Sequence, residues 1–160
     1  MNVMNSSGHA LSAQDERAIS ALLVSYGCAI DRRDWEKLRA CFSDDCECDY
    51  GGFGKWTGPA AIVQYMKQVH ADVGPTLHRI TNIETEMQSG QAHARSYVDA
   101  LLMPINDGGP VHHGIGYYDD QLIRTSIEKN VLLKMLKNCI NFLLSVTRSG
   151  DSIKVLTTRQ

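Results

Sequence analysis

The hydrophobic period of this chain changes once, and that change restricts its fold more than any other feature. Before residue 70 apolar residues recur at three- and four-residue spacing; after Gly74-Pro75 they recur at every second position. Ile19, Leu22, Leu23, Tyr26 and Ile30 make one face of a helix. Its start is marked by Ser12, a hydroxyl cap, with Asp15 and Glu16 in the positively polarised first turn. A short second helix fits Asp34 to Phe42, with Trp35, Leu38 and Phe42 inward. Cys46 to Tyr50 reads as a short strand closed by the Gly51-Gly52-Phe53-Gly54 turn. Gly58-Pro59 opens a third helix, whose buried stripe is Ile62, Tyr65, Met66 and Val69. Leu77–Glu86, Ala92–Met103 and Val111–Thr125 then read as three strands, broken at Ser89-Gly90 and again between Pro104 and Pro110. Helices first and strands afterwards is an α+β order, not the alternation of a parallel α/β sheet. The economical packing is a curved antiparallel sheet wrapped on three helices.

A chain of 160 residues suits one domain large enough for a core and a pocket. With 43% hydrophobic and 21% charged residues, disorder and coiled coil are excluded. A net charge of −2 gives no overall attraction to nucleic acid or to an anionic membrane. The charge is unevenly spread: residues 1–120 hold 9 basic and 16 acidic side chains, residues 121–160 hold 7 and 2. Residues 1–12, rich in Asn, Ser and Gly, read as a flexible lead without a targeting pattern. The greasiest stretch, Val131 to Val146, is interrupted by Lys134, Lys137, Asn138 and Asn141, which argues against a membrane span. Five cysteines without framework spacing (Cys28, Cys41, Cys46, Cys48 and Cys139) read as reduced thiols, so a cytoplasmic location is expected.

Few residues are placed to carry chemistry. Asp45, Glu47 and Asp49 resemble the start of a calcium loop, but Gly51 falls one place late and Trp56 stands where the closing Glu belongs. Cys41, Cys46 and Cys48 lack the paired spacing of a zinc site, and no phosphate loop or nucleophile elbow occurs. His112 and His113 are adjacent in a strand and so point to opposite faces; at most one faces a cavity. Asp31 at the end of the first helix and His78 at the opening of the first long strand remain. A carboxylate that accepts from one imidazole nitrogen fixes the tautomer and leaves the other nitrogen as a general base. Spacing alone equally allows a helix-end acid beside Arg32 and Arg33 and a half-buried strand histidine.

Three blocks carry a family resemblance. The first runs Ile19-x2-Leu22-Leu23-x2-Tyr26-x4-Asp31-x2-Asp34-Trp35-x2-Leu38-x3-Phe42-x2-Asp45, followed by Asp49-Tyr50, Gly58 and Ile62. The second is Thr76-Leu77-His78-Arg79-Ile80-Thr81-Asn82, and the third Gly116-Tyr117-Tyr118-Asp119-Asp120-Gln121-Leu122-Ile123-Arg124. In register over residues 15–125, they resemble the SnoaL-like, scytalone-dehydratase-like branch of the nuclear-transport-factor-2-like superfamily. The resemblance implies a cone of three helices on a strongly bent antiparallel sheet, with an apolar pocket inside. Similar proteins include scytalone dehydratase, hexachlorocyclohexane dehydrochlorinase, bile-acid dehydratases, ketosteroid isomerases and polyketide cyclases. Asp31 and His78 occupy the positions of the family's Asp-His dyad, and Tyr26 and Tyr50 those of tyrosines that polarise a substrate oxygen. Both tyrosines could equally be core aromatics.

The implied domain is 13–125, and residues 126–160 depart from the family. Ser126-Ile127-Glu128-Lys129-Asn130 replaces the usual Gly-Trp turn before the last central strand. Leu132, Met135, Leu136, Cys139, Ile140 and Leu143 then recur at helical spacing, which predicts a basic amphipathic helix over Leu132 to Leu143. The alternative is that unrelated sequence has replaced the last strand. The function implied is a small lyase or isomerase that needs no cofactor and no metal. His78, oriented by Asp31, would remove a proton from an apolar cyclic substrate of steroid, polyketide, terpene or haloaromatic type. A homo-oligomer, dimer or trimer, is expected through the outer sheet face. The rival readings are a ring-hydroxylating dioxygenase small subunit and a non-catalytic ligand-binding or dimerisation module, because fold alone proves no activity.

Overall fold

The computed structural model describes residues 10–127, 130–150 and 152–157, so most of the expected lead lies outside the described residues. Helix α1 (Ala13–Asp31) is capped by Ser12, whose hydroxyl accepts from the Asp15 amide while the Asp15 carboxylate accepts from Ser12 in return. After it come α2 (Trp35–Ala40), strand β1 (Phe42–Asp49), a single 3₁₀ turn (Gly51–Phe53), β2 (Lys55–Thr57) and α3 (Pro59–Val69). Phe42 thus opens a strand instead of closing the second helix. The long strands follow: β3 (Val73–Gln88), β4 (Gln91–Pro104), β5 (Val111–Ile127), β6 (Asn130–Ser149) and β7 (Ser152–Thr157).

These strands form one seven-stranded sheet in the order β2-β1-β6-β5-β4-β3, with β7 also paired to β6. All neighbours are antiparallel except β1 and β6, which run parallel. Register shifts within the β3–β4 and β5–β6 ladders, with Asn82 at φ 48°, supply the bends that curl the sheet. The three helices cover the concave face. Along β4 the residues Ala92, Ala94, Ser96, Val98 and Ala100 are buried beneath them. The opposite face carries charge: Arg79 and His113 both bind the Asp99 carboxylate, and Arg95 binds Asp119 while lying over the Tyr117 ring.

The C-terminal helix expected from spacing is a strand. β6 pairs with β5 from Ile127↔Asn130 to Val111↔Arg148, a longer ladder than any other in the sheet. Its second edge is shared, Phe42–Asp49 of β1 lying along the first half and β7 along the last turns. A 20-residue strand paired to β5 along its length, and to β1 and β7 over parts of its other edge, outweighs a three-and-four pattern, since strand preference depends on pairing and burial more than on intrinsic propensity. Met135 sits at the crossing: its side chain is fully buried, its amide donates to the Cys41 carbonyl, and its carbonyl accepts from the Ser43 hydroxyl. Residues 126–160 therefore continue the same sheet where they are described. Met135→Ala should lower stability by about 2–5 kcal/mol in a chemical denaturation experiment, the range for emptying a buried site of this size.

Candidate active site

The site begins where α1 meets β3. Gly27 makes the close approach possible, because a Cβ there would lie 3.2 Å from the Cβ of His78. One turn later Asp31 ends the helix and faces the start of β3. Its Oδ1 accepts from His78 Nδ1 at 2.6 Å and from the Thr76 hydroxyl at 2.9 Å, and its Oδ2 accepts from the His78 amide at 2.9 Å. A negative charge at a helix C-terminus opposes the helix dipole, so this carboxylate depends on its partners. Arg33 supports them. Held at φ 58°, it donates to the Ile30 and Gly74 carbonyls and to the Thr76 hydroxyl, closing the corner between helix and strand.

The two sequence-derived residues of the dyad are thus brought together, with only 9% of the His78 side chain and 17% of the Asp31 side chain exposed. Burial works to raise the Asp31 pKa, but the hydrogen bonds and charge of His78, with the Thr76 hydroxyl, hold it below the usual carboxylate value. An ionised carboxylate only accepts, so a proton lies on His78 Nδ1, and Nε2 is the ring nitrogen left outside the pair. His78 lines a cavity of about 370 Å³, and Asp31 stands behind it.

Tyr26 and Tyr50 are also brought together. Their hydroxyls lie 2.6 Å apart on the cavity wall, and the Tyr118 ring packs edge-on against Tyr26 at 5.6 Å. Burial foremost holds all three phenols well above their ordinary value, so at neutral pH they are neutral hydrogen-bond donors and not bases. The remaining wall is largely apolar, with Ile30, Tyr65, Met66, Val69, Leu102 and Ile140.

Sequence reasoning missed several contributors. Thr76 and Arg33 act through Asp31, and only proximity to it in the fold reveals them. Tyr118 belongs to a recognised block but carries no signal of inward orientation until the β5 register is known. His70 closes α3 and donates from Nδ1 to the Met66 carbonyl at 2.8 Å. Its Nε2 is buried with no protein partner among the described residues, and burial lowers its pKa. Of the adjacent pair, His112 lines the cavity and His113 lies on the outer face. Among the described residues no group of three His, Cys, Asp or Glu side chains is arranged to hold a metal ion. Nor is any described helix long and apolar enough to cross a membrane.

Comparison with known proteins agrees with this architecture. A family model for the SnoaL-like domain matches residues 12–128. An uncharacterised protein of Mycobacterium tuberculosis is 26% identical over 126 residues, covering 78% of this chain and 86% of its own length. Among solved structures, a candidate scytalone dehydratase of Novosphingobium aromaticivorans is 23% identical, with a TM-score of 0.72 over 82% of this chain and 86% of that one. The hexachlorocyclohexane dehydrochlorinase LinA-type3 of Novosphingobium barchaimii is 19% identical, with a TM-score of 0.71 over 89% and 90%. At these identities the structural likenesses establish the fold.

Because the Asp31 pKa is depressed in the folded chain, the carboxylate contributes stability that is fully present above the ordinary value of about 4 and is lost as pH falls through the lower native value. Denaturation midpoints measured from pH 5 down to pH 2 should therefore fall more steeply for the wild type than for Asp31→Asn.

Proposed function

The chain belongs to the SnoaL-like domain family, and on that premise we propose that it is a cofactor-independent lyase or isomerase working through the Asp31–His78 dyad. The observation that carries this reading is the orientation of His78: Nδ1 is tied to an ionised carboxylate and Nε2 is left free in an apolar cavity. Nε2 takes a proton from a carbon next to an electron-withdrawing group. The Asp31 charge steadies the imidazolium that forms. The electron pair left on carbon then expels a β-halide, or a β-hydroxyl that leaves as water on receiving the proton carried by His78 Nε2, or the proton returns at another carbon. Tyr26 and Tyr50 share one hydroxyl–hydroxyl hydrogen bond, so the phenol that accepts in it keeps its own proton to donate to the substrate oxygen on which negative charge develops.

A dehydratase-type or dehydrochlorinase-type elimination is the form of this chemistry suggested by the names of the structural neighbours. An apolar cyclic molecule suits the wall of Ile30, Met66, Val69, Leu102 and Ile140. No step requires a metal or a cofactor.

Proton abstraction is common to elimination and isomerisation, so it can be tested before the substrate is known. A panel of cyclic ketones incubated with the protein in D₂O and followed by NMR should show catalysed deuterium uptake next to the carbonyl for at least one member. His78→Ala should lower that rate by about 10²–10⁴-fold, the usual contribution of a positioned base, and Asp31→Asn should lower it while the chain stays folded. Unchanged exchange in His78→Ala would sink the reading. The outer sheet face, where Leu77 is 48% and Tyr97 52% exposed, is the surface on which copies of the chain would associate in a dimer or trimer. Light scattering at micromolar concentration should show an oligomer, and Tyr97→Glu should shift it to monomer.

A further inference from the structure

One oxygen of the dyad carries more than the imidazole. Asp31 Oδ1 accepts from His78 Nδ1 at 2.6 Å and also from the Thr76 hydroxyl at 2.9 Å, while Oδ2 takes the His78 amide. Thr76 and His78 stand two residues apart on β3, so both side chains leave the same face toward Asp31; Leu77 between them is exposed on the other. The direction of the Thr76 bond is fixed from behind. A guanidinium only donates, and Arg33 Nη1 donates to the Thr76 oxygen at 2.9 Å, so the single Thr76 proton is left for Oδ1. Arg33 is itself held. The Ile30 and Gly74 carbonyls accept from it at 2.8 Å each, and its φ of 58° is a left-handed backbone that a residue other than glycine adopts at a cost. Arg33, Thr76, Asp31 and His78 thus form one directed chain of hydrogen bonds, and neither Arg33 nor Thr76 lines the cavity.

We infer that Thr76, its hydroxyl directed by Arg33, is a positioning residue that sets the pH at which the Asp31–His78 pair takes up a proton, and with it the acid limit of activity. This rests on the dyad being the reaction centre. Two donors share Oδ1. The hydroxyl of Thr76 disperses carboxylate charge that would otherwise face the imidazole, so the pair binds its next proton less readily than it would without Thr76. Nε2 therefore stays available as a base to lower pH. Because the two groups are joined by a short hydrogen bond, the effect belongs to the pair and not to either residue alone. The other titratable groups of the cavity wall are the phenols of Tyr26 on α1, Tyr50 after β1, Tyr65 on α3 and Tyr118 on β5, with the imidazoles of His70 after α3 and His112 on β5. None of these is a carboxylate. Burial foremost keeps the phenols neutral and opposes charging of His70, and Arg33 is the cation whose charge is felt with that of Asp31.

The test follows the dyad in the full chain by NMR titration of the His78 ring and, separately, by the pH dependence of ketone deuterium exchange. Thr76→Val replaces the hydroxyl by a methyl group. It should move the ring titration and the acid limb of exchange to higher pH by about one unit, the size of one hydrogen bond to a charged group, and Thr76→Ser should restore both. A merely structural Thr76 would lower stability and move neither. Should Thr76→Val fail to fold, the wild type answers. The Thr76 hydroxyl proton should then appear as a slowly exchanging resonance with a cross-peak to the His78 Nδ1 proton, because both point at Oδ1. An unmoved titration in Thr76→Val, a shift to lower pH, or an Nδ1 proton without that cross-peak would overturn the inference. If exchange still requires His78 in that case, the proposed reaction stands and only the role of Thr76 falls. If no ketone exchanges while the ring titration moves as expected, the reaction falls and the control of the dyad by Thr76 stands.

Discussion

One carboxylate joins the two halves of this protein. Asp31 is the last residue of α1, and its two oxygens accept three hydrogen bonds from the first turns of β3, two of them from His78 itself. The backbone bond sets where the strand begins against the helix, and the ring bond sets which way the imidazole faces. The same contact that positions β3 thus orients the imidazole. Geometry permits it only because Gly27, one turn earlier, lets the helix approach to within contact of the His78 Cβ. Replacing water around a buried carboxylate demands such saturation, since an unpaired charge there would favour protonation instead.

The sheet separates chemistry from surface by parity alone. On β3, His78 faces the helices while Arg79 faces outward to Asp99; on β5, His112 faces the cavity while His113 faces outward to the same Asp99. A one-residue slip in either strand would exchange a catalytic candidate for a surface ion pair. The long β4–β5 ladder, without a register shift from Ala92↔Leu122 to Leu102↔His112, guards against that slip. The three buried phenols add a polar cluster in which Tyr26 and Tyr50 satisfy each other across 24 residues of sequence. Burial foremost keeps these phenols neutral.

The sequence by itself determined the α+β order, the helix starts at Ser12 and Gly58-Pro59, and the three strands that follow Gly74-Pro75. These are local properties: caps, turns and hydrophobic period act within a few residues, so they can be read before any fold exists. The matched blocks also placed Asp31, His78, Tyr26 and Tyr50 in advance. Only the tertiary structure decided the C-terminus, where Leu132 to Leu143 has helical spacing yet lies in a strand. Its hydrogen-bonding partners are β5 just before it, β7 just after it and β1 far upstream, and a segment with open sheet edges beside it takes the conformation that fills them. The contacts of Arg33, Thr76, His70 and His112 were likewise left open by the sequence, although Thr76 opens a matched block and His112 belongs to the adjacent histidine pair. Each acquires its place from a neighbour at least 35 residues away or from a cavity formed by several elements. Long-range pairing and burial are collective properties, and no window of sequence contains them.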